Sequence, residues 1–204
     1  MTDPNYVKFF SELDNEDVPM VGGKNASLGE MFSDLADRGV AVPDGFATTA
    51  NAYREYLAAN DLPDNIQALI DDLHRGAREL EEVGRRVREL IGHGDFSEEI
   101  AEAIAAAYDE LSDRYDSERT DVAVRSSATA EDLPGASFAG QQETFLNVTG
   151  RQNLLDACRN CYASLFTDRA ISYREEQGFG HMDVALSVGV QKMVRSDEAG
   201  AGVM

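Results

Sequence analysis

The chain has 204 residues, 43% of them apolar, and its 38 acidic and 18 basic side chains give a formal net charge of −20. This charge excludes a nucleic-acid-binding function, because such binding neutralises phosphates with clustered Lys and Arg. No apolar run approaches the roughly 20 residues that cross a bilayer, and the first ten residues lack a basic stretch followed by an apolar block. We therefore expect no membrane partner and a cytoplasmic location.

The basic side chains are mostly arginine, since Lys8, Lys24 and Lys192 are the only lysines. A dense carboxylate surface with arginine in place of lysine is typical of proteins from salt-adapted cytoplasms. At about 1 M salt the Debye length falls to roughly 3 Å, which screens most of the self-repulsion. The composition therefore predicts a halophilic protein.

The first 50 residues alternate short elements with glycine and proline. Residues 19–23 predict a turn, and Ser27 with Glu30 has the spacing of a capping box before an apolar helix. That helix is expected to end at Gly39. Residues 40–49 then predict an extended passage into another helix.

The most helical part of the chain is the segment 63–117. Its apolar residues recur at the helical period in three stretches: Ile66, Leu69, Ile70 and Leu73; Leu80, Val83, Val87, Leu90 and Ile91; Ile100, Ile104, Ala107 and Leu111. A glycine-rich break starts at Gly92, and Ser97 could cap the third helix. We expect a helical subdomain, in which His74 and His93 are exposed and have no chemical role.

Strand patterns appear after residue 120. Residues 121–125 predict a short strand, 126–140 a loop of small residues, and 145–148 another strand. One or two helices are expected over 151–178, and a strand over 184–194. The sequence therefore predicts an α+β fold.

The two cysteines, Cys158 and Cys161, form a Cys-x-x-Cys pair on a segment that reads as helical. A redox pair would require a strand–helix setting, and a zinc site would require two further ligands nearby. Neither context is present in the sequence, so we expect packed thiols and no metal site.

Three segments have residue types that suit one ligand. Gly22, Gly23 and Lys24 precede a helix, an arrangement in which the backbone can approach a polyphosphate closely and a cation can pair with it. Gly-Gly-Lys also forms ordinary turns, so this segment alone leaves both interpretations open.

The second segment places Arg125 at a strand end before the small-residue loop. It lacks the Gly-x-x-x-x-Gly-Lys-Ser/Thr pattern of a Walker A motif. A surface loop is the alternative, although irregular loops longer than about 12–15 residues are uncommon unless they are functional or disordered. The third segment, Val190 to Val194, predicts either a strand that lines a flat pocket or an ordinary core strand.

Together these segments resemble the phosphoenolpyruvate synthase (pyruvate, water dikinase) family. The resemblance spans nearly the whole chain in the family's order: Val-Gly-Gly-Lys-Asn-Ala-Ser-Leu-Gly-Glu-Met (21–31), Val-Pro-Asp-Gly-Phe-Ala-Thr-Thr (42–49), Val-Arg-Ser-Ser to Gln-Gln-Glu-Thr-Phe-Leu-Asn-Val (124–148), Ser-Leu-Phe-Thr-Asp-Arg-Ala-Ile-Ser-Tyr-Arg (164–174) and Val-Gln-Lys-Met (190–193). It implies that residues 1–204 are the N-terminal part of an ATP-grasp-like, dikinase-type nucleotide-binding domain, with an inserted helical segment at 63–117 and a phosphate-loop region at 120–148.

The resemblance also implies roles for single residues. Lys24 and Arg125 match the positions that hold ATP phosphates and act in catalysis, and Gln191 and Met193 match the strand that holds adenine. The loop that closes over the phosphates matches Gly135, Ala136, Ser137, Phe138, Ala139 and Gly140.

The family uses Mg²⁺ and converts ATP, pyruvate and water into AMP, phosphoenolpyruvate and phosphate through a phosphohistidine, a reaction of gluconeogenesis. The resemblance places the magnesium carboxylate, the phosphohistidine domain and the pyruvate barrel beyond residue 204. We therefore expect the 204 residues to be inactive alone, as a fragment or a truncated relative. The alternatives are another dikinase relative, such as rifampin phosphotransferase, and a non-catalytic nucleotide-binding or interaction module.

Overall fold

The computed structural model describes residues 5–36, 38–129 and 143–194. Within these ranges the chain forms five strands and seven α-helices, together with two short 3-10 turns before the first helix. In chain order the elements are β1 (Val7–Phe9), α1 (Val18–Ala36), β2 (Gly45–Thr48), α2 (Ala50–Ala59), α3 (Leu62–His74), α4 (Leu80–His93), α5 (Glu98–Arg114), β3 (Val122–Ala128), β4 (Thr144–Val148), α6 (Arg151–Ser164), α7 (Asp168–Gln177) and β5 (Leu186–Lys192).

The five strands form one sheet in the order β1-β2-β5-β3-β4, and every neighbouring pair is antiparallel. The last strand in sequence, β5, therefore lies at the centre of the sheet. Its Gly189 pairs with Ala47 of β2 on one side and with Arg125 of β3 on the other. This arrangement of helices on an antiparallel sheet confirms the predicted α+β class, while the ATP-grasp-like assignment stays a prediction.

The two faces of the sheet are covered differently. Buried residues of β2, β3 and β5 share one large apolar core with α2 to α7. The opposite face has a smaller cluster made by α1 and the preceding turns, which includes Val21, Ala26 and Leu28. The predicted helical segment 63–117 therefore shares its core with the sheet.

The predicted helices follow their apolar spacing. Ile66 and Ile70 of α3 are buried, as the i, i+4 pattern predicts. Ser97 caps α5, because its hydroxyl accepts a hydrogen bond from the backbone N–H of Ile100 at 3.4 Å. The segment 151–178 forms two helices, α6 and α7.

Two predicted boundaries are wrong. Ser27 is not a helix cap, because α1 begins nine residues earlier at Val18 and is interrupted at Gly22. The predicted loop after Arg125 also begins too early, since β3 continues to Ala128. Its small residues pair with the start of β5 and are buried there, so tertiary packing overrides the loop-like composition.

The cysteines are packed thiols, as predicted. Cys158 and Cys161 lie on α6 and are both fully buried. Burial raises the pKa of Cys158 to about 12 and raises the pKa of Cys161 well above its ordinary value. In the parts of the chain that the structure describes, no helix is both long and apolar enough to span a membrane.

Candidate functional site

The predicted phosphate-binding segment lies at a break in α1. Gly22 adopts φ 73° and ψ 159°, so the chain turns there and a regular helix starts again after it. This backbone conformation is favourable for glycine because it has no Cβ. Lys24 therefore lies in the first turn of the restarted helix, where backbone N–H groups and the helix dipole favour an anion.

Gly22 packs directly on the end of β3. A Cβ added to Gly22 would lie 2.3 Å from Oγ of Ser127, 2.7 Å from the carbonyl oxygen of Ser127 and 2.8 Å from that of Ala128. The backbone of Gly22 therefore packs against β3 with no room for a side chain between them. The sequence analysis assigned the glycines a close approach to a ligand, which stays a prediction; the structure shows a close approach of Gly22 to the sheet.

Arg125 lies on the same face of β3 as Ser127. Alternate residues of a strand face the same side of the sheet, and two such residues lie roughly 7 Å apart along the strand. Arg125 is half-buried and pairs with Gly189 of β5 and Thr144 of β4. The fold thus brings the turn that carries Lys24 and the strand that carries Arg125 to one side of the sheet.

Sequence reasoning missed Asn25, which joins the Lys24 turn to β5, the strand that pairs with the Arg125 strand β3. Asn25 is fully buried, and its Nδ2 donates hydrogen bonds to the carbonyl oxygen of Val21 at 3.1 Å and to Oγ of Ser187 at 2.8 Å. An asparagine that follows Gly-Gly-Lys gives no sequence signal of this role, because Ser187 is 162 residues away in the chain.

The residues predicted to hold adenine lie toward the other end of β5. Gln191 faces the same side as Gly189, and its Nε2 donates a 3.0 Å hydrogen bond to the carbonyl oxygen of Pro43. Met193 follows the strand, and its backbone N–H bonds to the carbonyl oxygen of Asp121 at 3.0 Å. Both side chains are partly exposed, so they remain accessible at the end of the strand.

The predicted phosphate-covering loop lies outside the described residues. Gly135, Ala136, Ser137, Phe138, Ala139 and Gly140 all belong to the segment between Thr129 and Glu143.

A cleft of about 560 Å³ beside α4, α6 and α7 is lined by two arginines, Arg85 and Arg88. Its arginines are engaged in the protein. Nη1 of Arg88 donates to the carbonyl oxygen of Phe166 at 2.8 Å and to Asp168 at 3.0 Å, and Arg85 pairs with Glu89 at 2.6 Å. Because these carboxylates balance the arginines, the cleft is a poor match for a polyphosphate.

A cluster of metal-ligating residue types joins α3 to α7. The ligand atoms of His74, Glu175 and His181 lie within 4.8 Å of one another. Both histidines contact Oε1 of Glu175 through Nε2, at 2.9 Å from His74 and 2.5 Å from His181. His74 is exposed as predicted, but it contacts a carboxylate and so has a structural role.

The buried side of this cluster argues against a metal. Nε of the fully buried Arg174 donates a 3.0 Å hydrogen bond to Nδ1 of His181. Nδ1 must then be unprotonated, so in the neutral ring Nε2 carries the proton that it donates to Glu175. A metal bound at Nε2 would require the opposite tautomer, so we interpret the cluster as a hydrogen-bonded link between helices.

Comparison with known proteins covers nearly the whole chain. The family described as pyruvate phosphate dikinase, AMP/ATP-binding domain, matches residues 18–204. Phosphoenolpyruvate synthase of Aquifex aeolicus (strain VF5) is 54% identical over 199 residues, which are 97% of this chain and 23% of the relative.

Two further relatives also match nearly the whole chain over a small part of their own length. Phosphoenolpyruvate synthase of Escherichia coli (strain K12) is 51% identical over 199 residues, or 97% of this chain and 25% of the relative. A probable phosphoenolpyruvate synthase of Methanocaldococcus jannaschii is 44% identical over 196 residues, or 96% of this chain and 16% of the relative. The chain therefore spans about a quarter or less of the length of these relatives.

Proposed function

Because the chain belongs to the pyruvate phosphate dikinase, AMP/ATP-binding domain family, we propose that it is the ATP-binding part of a phosphoenolpyruvate synthase. One observation of the structure carries this proposal. The helix turn that holds Lys24 packs through Gly22 on the strand that holds Arg125. A lysine in a first helical turn and an arginine on the adjacent strand form a donor set that suits a polyphosphate.

In the proposed site, Lys24 and Arg125 bind and orient the phosphates of ATP. Arg125 can offer two parallel N–H donors to phosphate oxygens, and Lys24 contributes a compact charge. Gln191 and Met193 hold the adenine at the far end of β5, and residues 135–140 cover the phosphates. Phosphoryl transfer depends mainly on such positioning and on neutralising charge, so these groups act without forming a covalent bond themselves.

The full proposed reaction converts ATP, pyruvate and water into AMP, phosphoenolpyruvate and phosphate. The pyruvate site, the phosphohistidine and the carboxylate ligand of Mg²⁺ would belong to other parts of a protein of the relatives' length. Mg²⁺ would supply charge neutralisation at the phosphates when bound. The 204 residues alone are expected to bind nucleotide without turnover, and the cytoplasmic and halophilic assignments remain predictions.

The direct test is the ATP affinity of the chain and of Lys24→Ala, measured by titration calorimetry. Loss of one charge-assisted contact of about 1.5–3 kcal/mol predicts an ATP Kd that rises roughly 10- to 150-fold. Lys8→Ala is the matched control, because Lys8 pairs with Asp17 at 3.3 Å near the sheet edge. If ATP does not bind, or binds Lys24→Ala as tightly as the wild type, the proposed site is wrong.

Rifampin phosphotransferase remains the alternative within the dikinases. The names of the relatives favour pyruvate as the acceptor. A protein of the relatives' length should form AMP from ATP when pyruvate is added. AMP formation that requires rifampin instead would favour the alternative.

A further inference from the structure

Asn25 lies at the one place where α1 changes direction. It follows Lys24 directly, and its Nδ2 bonds back across the break to the carbonyl oxygen of Val21, the residue before Gly22. The two consecutive glycines of this turn have little conformational preference of their own. The Asn25 side chain therefore supplies the restraint that the backbone of the turn lacks.

The same Nδ2 anchors the turn to the centre of the sheet. Nδ2 donates to Oγ of Ser187 at 2.8 Å, and the Ser187 hydroxyl donates to the carbonyl oxygen of Thr48 at 2.5 Å. Asn25, Thr48 and Ser187 are all fully buried. A chain of buried hydrogen bonds thus connects the first turn of the restarted helix with β5 and β2, where solvent does not compete for the donors.

Asn25 also occupies the space beside the strand pair that carries Arg125. A Cβ added to Gly189 would lie 2.3 Å from Oδ1 of Asn25, and Gly189 is the β5 partner of Arg125. The asparagine is therefore in contact with the backbone opposite Arg125 while it is covalently adjacent to Lys24. It therefore connects the turn that carries Lys24 to β5, and β5 is the strand that pairs with Arg125.

We propose that Asn25 is a positioning residue, which fixes the Lys24 turn relative to Arg125 so that both cations meet the same polyphosphate. This inference rests on the proposed function. Asn25 itself is buried below the turn and acts through Lys24, without a contact to the nucleotide.

The test compares Asn25→Ala with the wild-type chain for ATP and for adenosine, which lacks phosphates. In Asn25→Ala we expect the ATP Kd to rise about tenfold or more and the adenosine Kd to stay within about twofold. The double variant Lys24→Ala/Asn25→Ala should bind ATP no more weakly than Lys24→Ala alone. A general loss of packing would weaken both ligands and would add to the effect of Lys24→Ala.

Asn60→Ala is the matched control. Nδ2 of Asn60 also donates to a carbonyl oxygen four residues earlier, on Tyr56 at 2.8 Å, and to a distant one, on Asp95 at 2.9 Å. Its loss should reduce stability without changing the ATP Kd. Ser187→Ala, which removes the anchor and keeps Asn25, gives a second variant if Asn25→Ala does not fold, and it should weaken ATP in the same way.

Amide hydrogen exchange helps to distinguish failure of the positioning role from failure of the proposed function. Asn25→Ala should accelerate exchange at Gly23 and Lys24, and Asn60→Ala should not. Unchanged ATP affinity in Asn25→Ala and Ser187→Ala, while Lys24→Ala is weakened, would overturn the positioning role and leave the proposed function standing. Absence of ATP binding by the wild type would overturn both, and the exchange data would then show a purely structural restraint.

Discussion

Gly22 and Ser127 are in contact across the helix–sheet boundary, with 2.3 Å between the Ser127 hydroxyl oxygen and the position that a Cβ on Gly22 would occupy. Ser127 belongs to the same strand face as Arg125, and Gly22 is two residues before Lys24. This close contact holds the turn that carries Lys24 against the strand that carries Arg125. The glycine is required twice, for its φ of 73° and for this contact.

The first prediction compares Gly22→Ala with Gly150→Ala. Gly150 has a similar backbone conformation, φ 85° and ψ 150°, but a Cβ there would meet nothing within 4 Å. Gly150→Ala should therefore lose only the strain of an unfavourable backbone, about 1–3 kcal/mol. Gly22→Ala should lose a further 1–3 kcal/mol or so from overpacking and should also weaken ATP.

Urea unfolding of the two glycine variants checks this difference. ATP titration of whichever variant folds supplies the functional readout. Equal stability of the two variants would mean that Ser127 moves aside without penalty. The contact between Gly22 and Ser127 would then not determine the distance between the Lys24 turn and the sheet.

The second prediction concerns the side chain of Arg125. Arg125→Lys keeps the charge and loses the planar fork, so the ATP Kd should rise less than in Arg125→Ala, in which charge and fork are both lost. In a protein of the relatives' length, Arg125→Ala should abolish AMP formation. Arg151→Ala is the control, because Arg151 pairs with Asp109 on the surface and surface pairs contribute little. Wild-type AMP formation in Arg125→Ala would remove this residue from the site.

Much of the fold could be predicted because its signals are local. The helical periods of α3 to α5 and the Ser97 cap each lie within a few residues of sequence, and they reappear in the structure. The error in the loop after Arg125 occurred where distant residues decide. Ser127 and Ala128 look like loop residues until they pair with Ser187 and Leu186.

The same difference between local and long-range signals applies to the candidate site. Lys24 and Arg125 were predicted from residue type and family resemblance, and the fold brings their elements together; their role in binding ATP stays a prediction. Asn25 was missed because its contacts are with Ser187 and Gly189, which are near in space and far in sequence. No pattern of 3.6- or 2-residue period encodes such a contact.

The third prediction concerns acid stability at the link between α3 and α7. Burial lowers the pKa of His181, and hydrogen bonds from His74 and then His181 lower the pKa of Glu175. Arg174 and His74 also face His181 and oppose its charge. The unfolded chain therefore binds a proton at His181 first, and stability should fall as the pH drops below about 6.5, then again below about 4.3 as Glu175 protonates.

His181→Gln tests the first of these two steps. Its amide can accept from Arg174 and donate to Glu175 without titrating, so the loss of stability between about pH 7 and pH 5 should be smaller than in the wild type. Urea unfolding across this range gives the slope. Identical slopes in His181→Gln and the wild type would contradict the assignment.

The last prediction separates packed thiols from a redox pair at Cys158 and Cys161. Both side chains are fully buried on α6, and the pKa of Cys158 is raised to about 12 by burial. A redox pair needs a thiolate with a lowered pKa and access to solvent, because the thiolate is the reactive species. At a pH near 8.5, the ordinary pKa of a thiol, iodoacetamide should therefore modify the folded chain far more slowly than the urea-unfolded chain, as measured by mass spectrometry.

Cys158→Ala and Cys161→Ala should each lower the free energy of unfolding through the cavity they leave. The ATP affinity should not change, because α6 packs on the sheet face opposite to the one covered by α1. Rapid modification of the folded protein at either cysteine would show a reactive thiol and would contradict the packing role.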